Sequence, residues 1–373
     1  MRLALVRQRY NPYGGAERFI ERALAALVAH HITVTVFARE WRGDPGQVVR
    51  CDPFYIGRLW RDWSFARAVC RELARQEVDL VQSHERIACC DIYRAGDGVH
   101  AQWLCNRRAA LGPLGRLGLA LNPYHRYVLA AERRLFASHR LRAVICNSRM
   151  VKEEIRRHFG VPEQKLHVIY NGIDLDAFHP RLRDAHRAAM RATLGIPQPA
   201  LVHLFVGAGF ERKGVFPLLA AFARLPDKQA HLVIVGRDKA QARAEALSRS
   251  LGIAARVHFA GGQEEVRPWY GAADSFVLPT LYDPFPNAAL EAMACGLPVI
   301  TTPQCGTAEL IEAGENGFVV RALDVEALAE ALATLDPQRA QRMGDCARAR
   351  AQEFGLDAMS ERLIALYQRL LSN

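Results

Sequence analysis

No run of about 18 consecutive apolar residues occurs in the chain, and the opening MRLALVRQRY turns charged before a long apolar segment can form. Neither a membrane-spanning helix nor a secretory leader is expected, which predicts a cytoplasmic protein. The nine cysteines (51, 70, 89, 90, 105, 146, 295, 305 and 346) contain no Cys-x-x-Cys pair, and most have apolar neighbours. A disulfide framework or a zinc site is therefore not expected. The basic residues are not interleaved with aromatics in the manner of any nucleic-acid-binding module, which argues against a nucleic-acid partner.

What is present is an ordinary globular composition. The 373 residues, 50% of them hydrophobic, are enough for two domains with their own cores. The formal net charge of +10 calls for anionic company, whether nucleic acid, a phosphorylated substrate or a membrane surface. Apolar runs of strand length recur as RLALV, TVTVF, VDLVQ, DIYRA and AVICN in the first half, separated by helical stretches such as 16–29 and 64–76. The second half repeats the plan with ALVHLFV, HLVIV, RVHFA, DSFVLP, PVITT and GFVV, interleaved with helices such as 216–224 and 240–251. Alternating β and α predicts an α/β protein of two Rossmann-like, doubly wound parallel-sheet domains. VIYNGIDLDAFHP, closing on Pro180, reads as the linker between them. Ligands of such sheets bind outside the carboxyl ends of the strands, so the loops there are where chemistry is sought.

Strand ALVHLFV runs directly into GAGFERKG, residues 207–214, and then into a helix. The glycine spacing is not the dinucleotide fingerprint. It gathers Gly209, Arg212, Lys213 and a helix N-terminus, where backbone amides and two cations could hold a diphosphate. Arg212 and Lys213 could equally be solvated loop charges. In the first domain, Gly14 and Gly15 follow RLALV and open a helix near Ala16, either as a turn needing positive φ or as amides facing a ligand. His84, Asp97 and His100 follow VDLVQ and DIYRA and are expected near the same strand ends. Asp97, flanked by glycines, could orient or deprotonate an acceptor hydroxyl; it could also simply form an Asp-Gly turn, and His84 could be an ordinary loop histidine.

YDPFPNAALEAMACGLPVITT, residues 282–302, places two prolines before a short helix and a glycine after it. Asn287 reads as the N-cap and Gly296 with Pro298 as the stop, leaving about two turns of small and apolar residues that should lie buried against a sheet. Glu291 then falls in the first turn, where it could do no more than complement the helix dipole.

In this order the pieces resemble the retaining family 4 glycosyltransferases of the GT-B fold, along nearly the whole chain. The resemblance rests on Gly14-Gly15-Ala16-Glu17, CNS at 146–148, NGID at 171–174, FERKG at 210–214 and Asp283-x7-Glu291 with EAMACGLPVI. The family usually has Glu where this chain has Asp283. The resemblance implies an N-terminal acceptor domain (1–170), a C-terminal nucleotide-sugar domain (171–355) and a C-terminal helix (356–373) packing back toward the first domain. It implies that Glu291 binds the donor ribose and that Asp283 with Phe285, Pro286 and Asn287 cradles the donor sugar. Arg212 and Lys213 would neutralise the diphosphate in place of a metal, and no cofactor is implied. Within the family the style of YNPYGGAERF, RAGDGVH and VGAGFERKGV is closest to lipopolysaccharide core glucosyltransferases. That suggests transfer of glucose from UDP-glucose to a lipid-linked or polysaccharide acceptor; a mannosyltransferase, or a nucleotide-sugar epimerase or hydrolase of related architecture, is the alternative. Residues 103–142 carry eight arginines and one acid among leucines and aromatics, broken by Gly112, Pro113 and Pro123. Such a segment could hold the protein on the anionic cytoplasmic face of the inner membrane, or could be core with a solvated arginine face.

Overall fold

The computed structural model describes residues 1–9, 32–41 and 47–372. The Gly14-Gly15 turn and the helix expected at 16–29 lie outside the described residues. The chain divides into two compact units, Met1–Asn171 with Asp357–Asn373, and Gly172–Leu356.

Among the described residues the first unit carries seven strands: β1 (Arg2–Val6), β2 (Thr33–Ala38), β3 (Gln47–Arg50), β4 (Leu80–Ser83), β5 (Ile92–Arg94), β6 (Ala143–Cys146) and β7 (Leu166–Val168). They lie in the order β3-β2-β1-β4-β5-β6-β7 and pair in parallel throughout. A parallel sheet covered on both faces favours continuous apolar strands over alternating ones. β4 (LVQS) and β6 (AVIC) are buried at every position. The two edge strands escape the pattern. β3 is QVVR, mostly exposed, and β7 is LHV, whose Val168 begins the segment VIYNGIDLDAFHP expected to be the linker, so the linker starts later than expected. The helix Leu356–Ser372 closes this unit. Its Tyr367 hydroxyl donates to Gln82 Oε1 on β4 at 2.6 Å, and Arg142 donates to the Leu370 carbonyl.

The second unit carries β8 (Val202–Val206), β9 (His231–Val235), β10 (Val257–Gly261), β11 (Ser275–Leu278), β12 (Val299–Thr301) and β13 (Gly317–Val319). The order is β10-β9-β8-β11-β12-β13, again parallel. Every apolar run singled out in this half is a strand. The helices Val215–Ala223 and Gln241–Ser250 sit within a residue of their expected bounds. The helix Gly57–Leu73 begins seven residues earlier than expected, because its first two turns are amphipathic in the wrong sense: Leu59, Trp60 and Trp63 are exposed.

One cysteine expectation is corrected. Cys70 and Cys89 form a disulfide, with 5.8 Å between their Cα atoms. Spacing could not reveal it, since helix Gly57–Leu73 and the loop before β5 meet only through the packing of the sheet. The other seven cysteines are free.

The second unit also buries an ionic knot. Asp274, immediately before β11, accepts from Arg191 at 2.7 Å, Arg187 at 2.8 Å and Arg183 at 3.1 Å, and from the Val202 amide at 2.8 Å. Burial pushes its carboxyl up, but Arg191 and Arg187 more than offset this and hold it below the ordinary carboxylate range. Arg191 is itself fully buried and donates to three backbone carbonyls as well. The knot ties helix Leu182–Leu194 to the sheet. Replacing Asp274 by Ala leaves a buried guanidinium without its counter-ion and should cost about 3 to 5 kcal/mol, measured as a lowered urea midpoint with unchanged slope. A variant as stable as wild type would remove the knot from the list of what holds this unit together.

Candidate functional site

β8 and β11 are neighbours in the sheet, but the chain leaves them on opposite courses, to β9 on one side and β12 on the other. Their carboxyl ends therefore define the switch point of the second unit, where a crevice is left for a ligand. β8 is followed by Gly207, Ala208 and Gly209 and the four-residue helix Phe210–Lys213; β11 is followed by Pro279 to Asp283.

The two loops are stitched together. The Leu281 amide donates to the Arg212 carbonyl at 2.8 Å, and Thr280 Oγ1 donates to the same carbonyl at 3.1 Å. Gly214, at φ +81°, lets them approach: a Cβ there would stand 2.1 Å from the Pro279 carbonyl oxygen. A third loop joins from β12. Asp283 donates its amide to the Gln304 carbonyl at 3.0 Å and accepts from the Gly306 amide at 2.9 Å, so its backbone is pinned on both sides.

The charged groups meet on this platform. Lys213 Nζ lies 3.2 Å and Arg212 NH1 3.4 Å from Asp283 Oδ2, and Arg212 NH1 donates to the Tyr282 carbonyl at 2.7 Å. Lys213 runs across Gly207, where a Cβ would come within 2.9 Å of its Nζ. Lys213 and Asp283 are largely buried, whereas Arg212 is about a third exposed. Two cations and one carboxylate leave a net positive crevice floor, suited to an anion of more than one charge.

One expectation is corrected here. The amides of Gly209 and Phe210 do not stand open to a ligand. Both donate to Asp238 Oδ2, at 2.7 and 3.2 Å, and Asp238 Oδ1 takes the Ala240 amide at 2.8 Å. These three bonds outweigh burial and keep the Asp238 carboxyl below its ordinary range. The side chains of Arg212 and Lys213, not the end of this short helix, supply the positive character.

The helix Asn287–Ala294 has the expected length and burial, but its cap differs. Pro286 holds the extended conformation of the N-cap (φ −68°, ψ 122°), so Asn287 is the first helical residue. Glu291 is consequently the fifth, beyond the first turn, and the dipole does not account for it. It is buried, and its Oε2 accepts from the Tyr270 hydroxyl at 2.9 Å. Tyr270 lies on helix Arg267–Ala272 and was not singled out by the sequence. Phe285 is buried as well. NGIDLD, residues 171–176, contains an Asp-x-Asp spacing, Asp174-Leu175-Asp176, but Asp174 Oδ1 accepts the amides of Asp176 and Ala177 at 3.1 and 2.9 Å, a local turn.

The first unit has its own switch point between β1 and β4. The three residues expected there differ in burial and in partners. His84 is buried with its Nε2 3.3 Å from Gln82 Nε2, and burial, Arg94 and Arg7 hold it well below its ordinary pKa. That ring is buried within the unit and not displayed at its surface. His100 pairs with His125, Nε2 to Nδ1 at 3.1 Å, and burial, Arg86 and His125 lower its pKa to about 3. Its amide is taken by Glu132 at 2.7 Å. Asp97 is exposed on a turn closed by the Gly98 amide on the Ala95 carbonyl at 3.1 Å, with Gly98 at φ +69°. The turn reading of Asp97 is thus correct, and its carboxylate is still presented to solvent.

A linear reading does not reveal an open pocket in this unit, lined among others by Gln8, Asp62, Glu85, Arg86, Tyr124 and Tyr127. Glu85 Oε1 accepts the Gln8 amide at 2.9 Å; Asp62 accepts from Gln8 Nε2 at 3.1 Å and from the Tyr124 hydroxyl at 3.0 Å. Burial pushes the Glu85 carboxyl up against the opposing pull of Arg7, with Asp97 and Asp62 adding to the rise. Hydroxyl acceptors, amides and aromatic faces in one pocket suit a polyhydroxylated ligand.

Removing Lys213 should leave Asp283 facing Arg212 alone and remove one of two anion contacts. Lys213→Ala and Arg212→Ala should each weaken binding of a nucleoside diphosphate by about 1.5 to 3 kcal/mol without lowering the melting temperature. Near-normal affinity in both would detach the cluster from anion binding.

Comparison with known proteins agrees with this geometry. The model for glycosyl transferases group 1 matches residues 186–350, and that for glycosyltransferase family 4 matches residues 13–177. The chain is 27% identical over 326 residues to the lipopolysaccharide glucosyltransferase WaaG of Escherichia coli (strain K12), covering 86% of this chain and 85% of that protein. A crystal structure of WaaG superposes with a TM-score of 0.83 at 26% identity, covering 97% of this chain and 98% of that one. A D-inositol 3-phosphate glycosyltransferase of Streptomyces griseus is 34% identical over 262 residues, 64% of this chain and 55% of its own length.

Proposed function

The chain belongs to the family 4 glycosyltransferases of the GT-B fold, and from that premise we propose that it transfers a hexose, glucose from UDP-glucose, to a lipid-linked saccharide such as the lipopolysaccharide core. The observation that carries the donor half is the Arg212–Lys213–Asp283 cluster at the switch point of the second unit. In this reading the two cations take the diphosphate and stabilise the charge that develops on it as the glycosidic bond breaks. No metal is needed, since two fixed positive groups do its electrostatic work. Asp283 and the backbone of Phe285 to Asn287 hold the sugar. Glu291, kept in place by Tyr270, accepts from the ribose hydroxyls. Transfer proceeds with retention, the acceptor hydroxyl attacking on the face the diphosphate leaves.

The acceptor is assigned to the first unit. Asp97 is accessible there, and the pocket of Asp62, Glu85, Tyr124 and Tyr127 is suited to a sugar. His84 and His100 shape that region from within. For a lipid-linked acceptor the enzyme works at the cytoplasmic face of the inner membrane, and residues 103–142 support this. The helices His100–Ala109 and Pro113–Leu121 have no buried residue, and Leu114 is 87% exposed. No helix among the described residues is long and apolar enough to cross a bilayer, and the reading is of attachment at the interface.

Two measurements test the reading. By calorimetry with bare UDP, Glu291→Ala should lose about tenfold or more in affinity, while Asp283→Ala should chiefly lower turnover of the sugar-bearing donor. Unchanged UDP affinity in Glu291→Ala refutes the ribose role, and absence of transfer from any UDP-, GDP- or ADP-hexose refutes the activity. In vesicle sedimentation, binding should rise with anionic lipid, fall with salt, and weaken when Arg107, Arg108 and Arg126 become Gln. Binding indifferent to all three would return the segment to an ordinary protein surface.

A further inference from the structure

A second apolar surface, outside residues 103–142, stands on the first unit. Phe54 is 74%, Ile56 69%, Trp60 41% and Trp63 45% exposed, and Leu59 is exposed beside them. Five large apolar side chains within ten residues is a concentration that a soluble surface does not ordinarily leave in water. On helix Gly57–Leu73, Leu59, Trp60 and Trp63 recur at positions i, i+1 and i+4, sharing one flank, whereas Phe65, Val69 and Leu73 recur at four-residue spacing on the buried side. Phe54 and Trp60 meet edge to face at 5.7 Å, so the patch holds its own shape.

The charges around it have one dominant sign. From Phe54 to Arg71 there are four arginines, at 58, 61, 67 and 71, against one acid, Asp62. That acid is already engaged by Arg61 Nε at 2.7 Å. Arg67 lies over the Trp63 ring at 5.9 Å. Arg58 lies over the Tyr124 ring at 5.5 Å, and the Tyr124 hydroxyl donates to Asp62, so this helix is clipped to the helix Pro123–Phe136. Only Asn122 separates that helix from Pro113–Leu121, whose Leu114, Leu117 and Leu121 are exposed. Tryptophans with apolar bodies and polar tips, set among arginines on an exposed loop and helix start, match the headgroup level of a bilayer with anionic lipid.

We infer that residues 54–63 form a second docking element, which inserts Phe54, Ile56, Trp60 and Trp63 into the interface of an anionic bilayer. This rests on the membrane reading of residues 103–142 and extends it. It also gives the helix Gly57–Leu73 two duties, since its Asp62 lines the sugar pocket while its neighbours Trp60 and Trp63 meet lipid. A lipid-linked saccharide lying in the same bilayer would then have its sugar beside the pocket.

The experiment uses the full chain and vesicles of phosphatidylcholine with or without phosphatidylglycerol, carrying brominated acyl chains that quench tryptophan. Wild type should sediment with the anionic vesicles and lose a large part of its tryptophan emission. Trp60→Phe with Trp63→Phe should still sediment but lose most of the quenchable emission, leaving that of Trp103. Phe54→Ser with Trp60→Ser and Trp63→Ser should bind anionic vesicles about tenfold more weakly, with an unchanged melting temperature and unchanged transfer to a soluble acceptor. If wild type binds and the serine variant binds equally well, or the quenching is the same without Trp60 and Trp63, the second element is overturned while the membrane reading stands. If wild type binds no vesicle, both fall. If wild type self-associates in light scattering and the serine variant does not, the patch is a contact between copies of the chain and the inference is likewise overturned.

Discussion

The parallel pairing of β8 with β11 is the constraint on which the geometry of the Arg212–Lys213–Asp283 cluster depends. Ser275 and Phe276 sit opposite His203 and Leu204, so two loops separated by some seventy residues of chain leave the sheet side by side. Their contact needs Gly214, because any side chain there would collide with the Pro279 carbonyl. Once the loops are in contact, Lys213 and Arg212 have little choice but to face Asp283. The crevice floor is thus a product of strand order first and of side-chain chemistry second.

The acids of the second unit show how position decides role. Asp274 precedes β11 and is enclosed by three arginines, Asp238 follows β9 and is consumed by three backbone amides, and Asp283 follows β11 beside two cations. The first two are saturated and act as structural ties. Arg212 and Lys213 carry more charge than Asp283 cancels, so this cluster keeps a net positive charge. Glu291 is different again, a buried carboxylate that accepts from the Tyr270 hydroxyl.

The first unit divides its labour along one helix. Gly57–Leu73 contributes Phe65, Val69 and Leu73 to the core, Asp62 to the pocket and two tryptophans to the surface. The disulfide from Cys70 to Cys89 and the Tyr124–Asp62 bond hold it against the loop after β4 and the helix Pro123–Phe136. Pocket and exposed aromatics are therefore carried by one braced element.

Periodicity and composition alone determined the two alternating α/β halves, the buried strands, the Arg-Lys loop after β8 and the short helix holding Glu291. Each is a local pattern in which the residues that must be buried or charged are adjacent in sequence. Only the tertiary structure decided the rest. The edge strand β3 has only two apolar residues, and β7 runs straight into the segment expected to be the linker. Asp238's claim on the Gly209 amide, Tyr270's hold on Glu291 and the Cys70–Cys89 bond join residues from 19 to 29 positions apart. The exposure of Trp60 and Trp63 is equally invisible to a linear reading, which assigns large aromatics to the core. Which pairs meet, and which apolar residues stay outside, is set by strand order and by the face each helix turns to the sheet, and neither is written in the neighbouring residues.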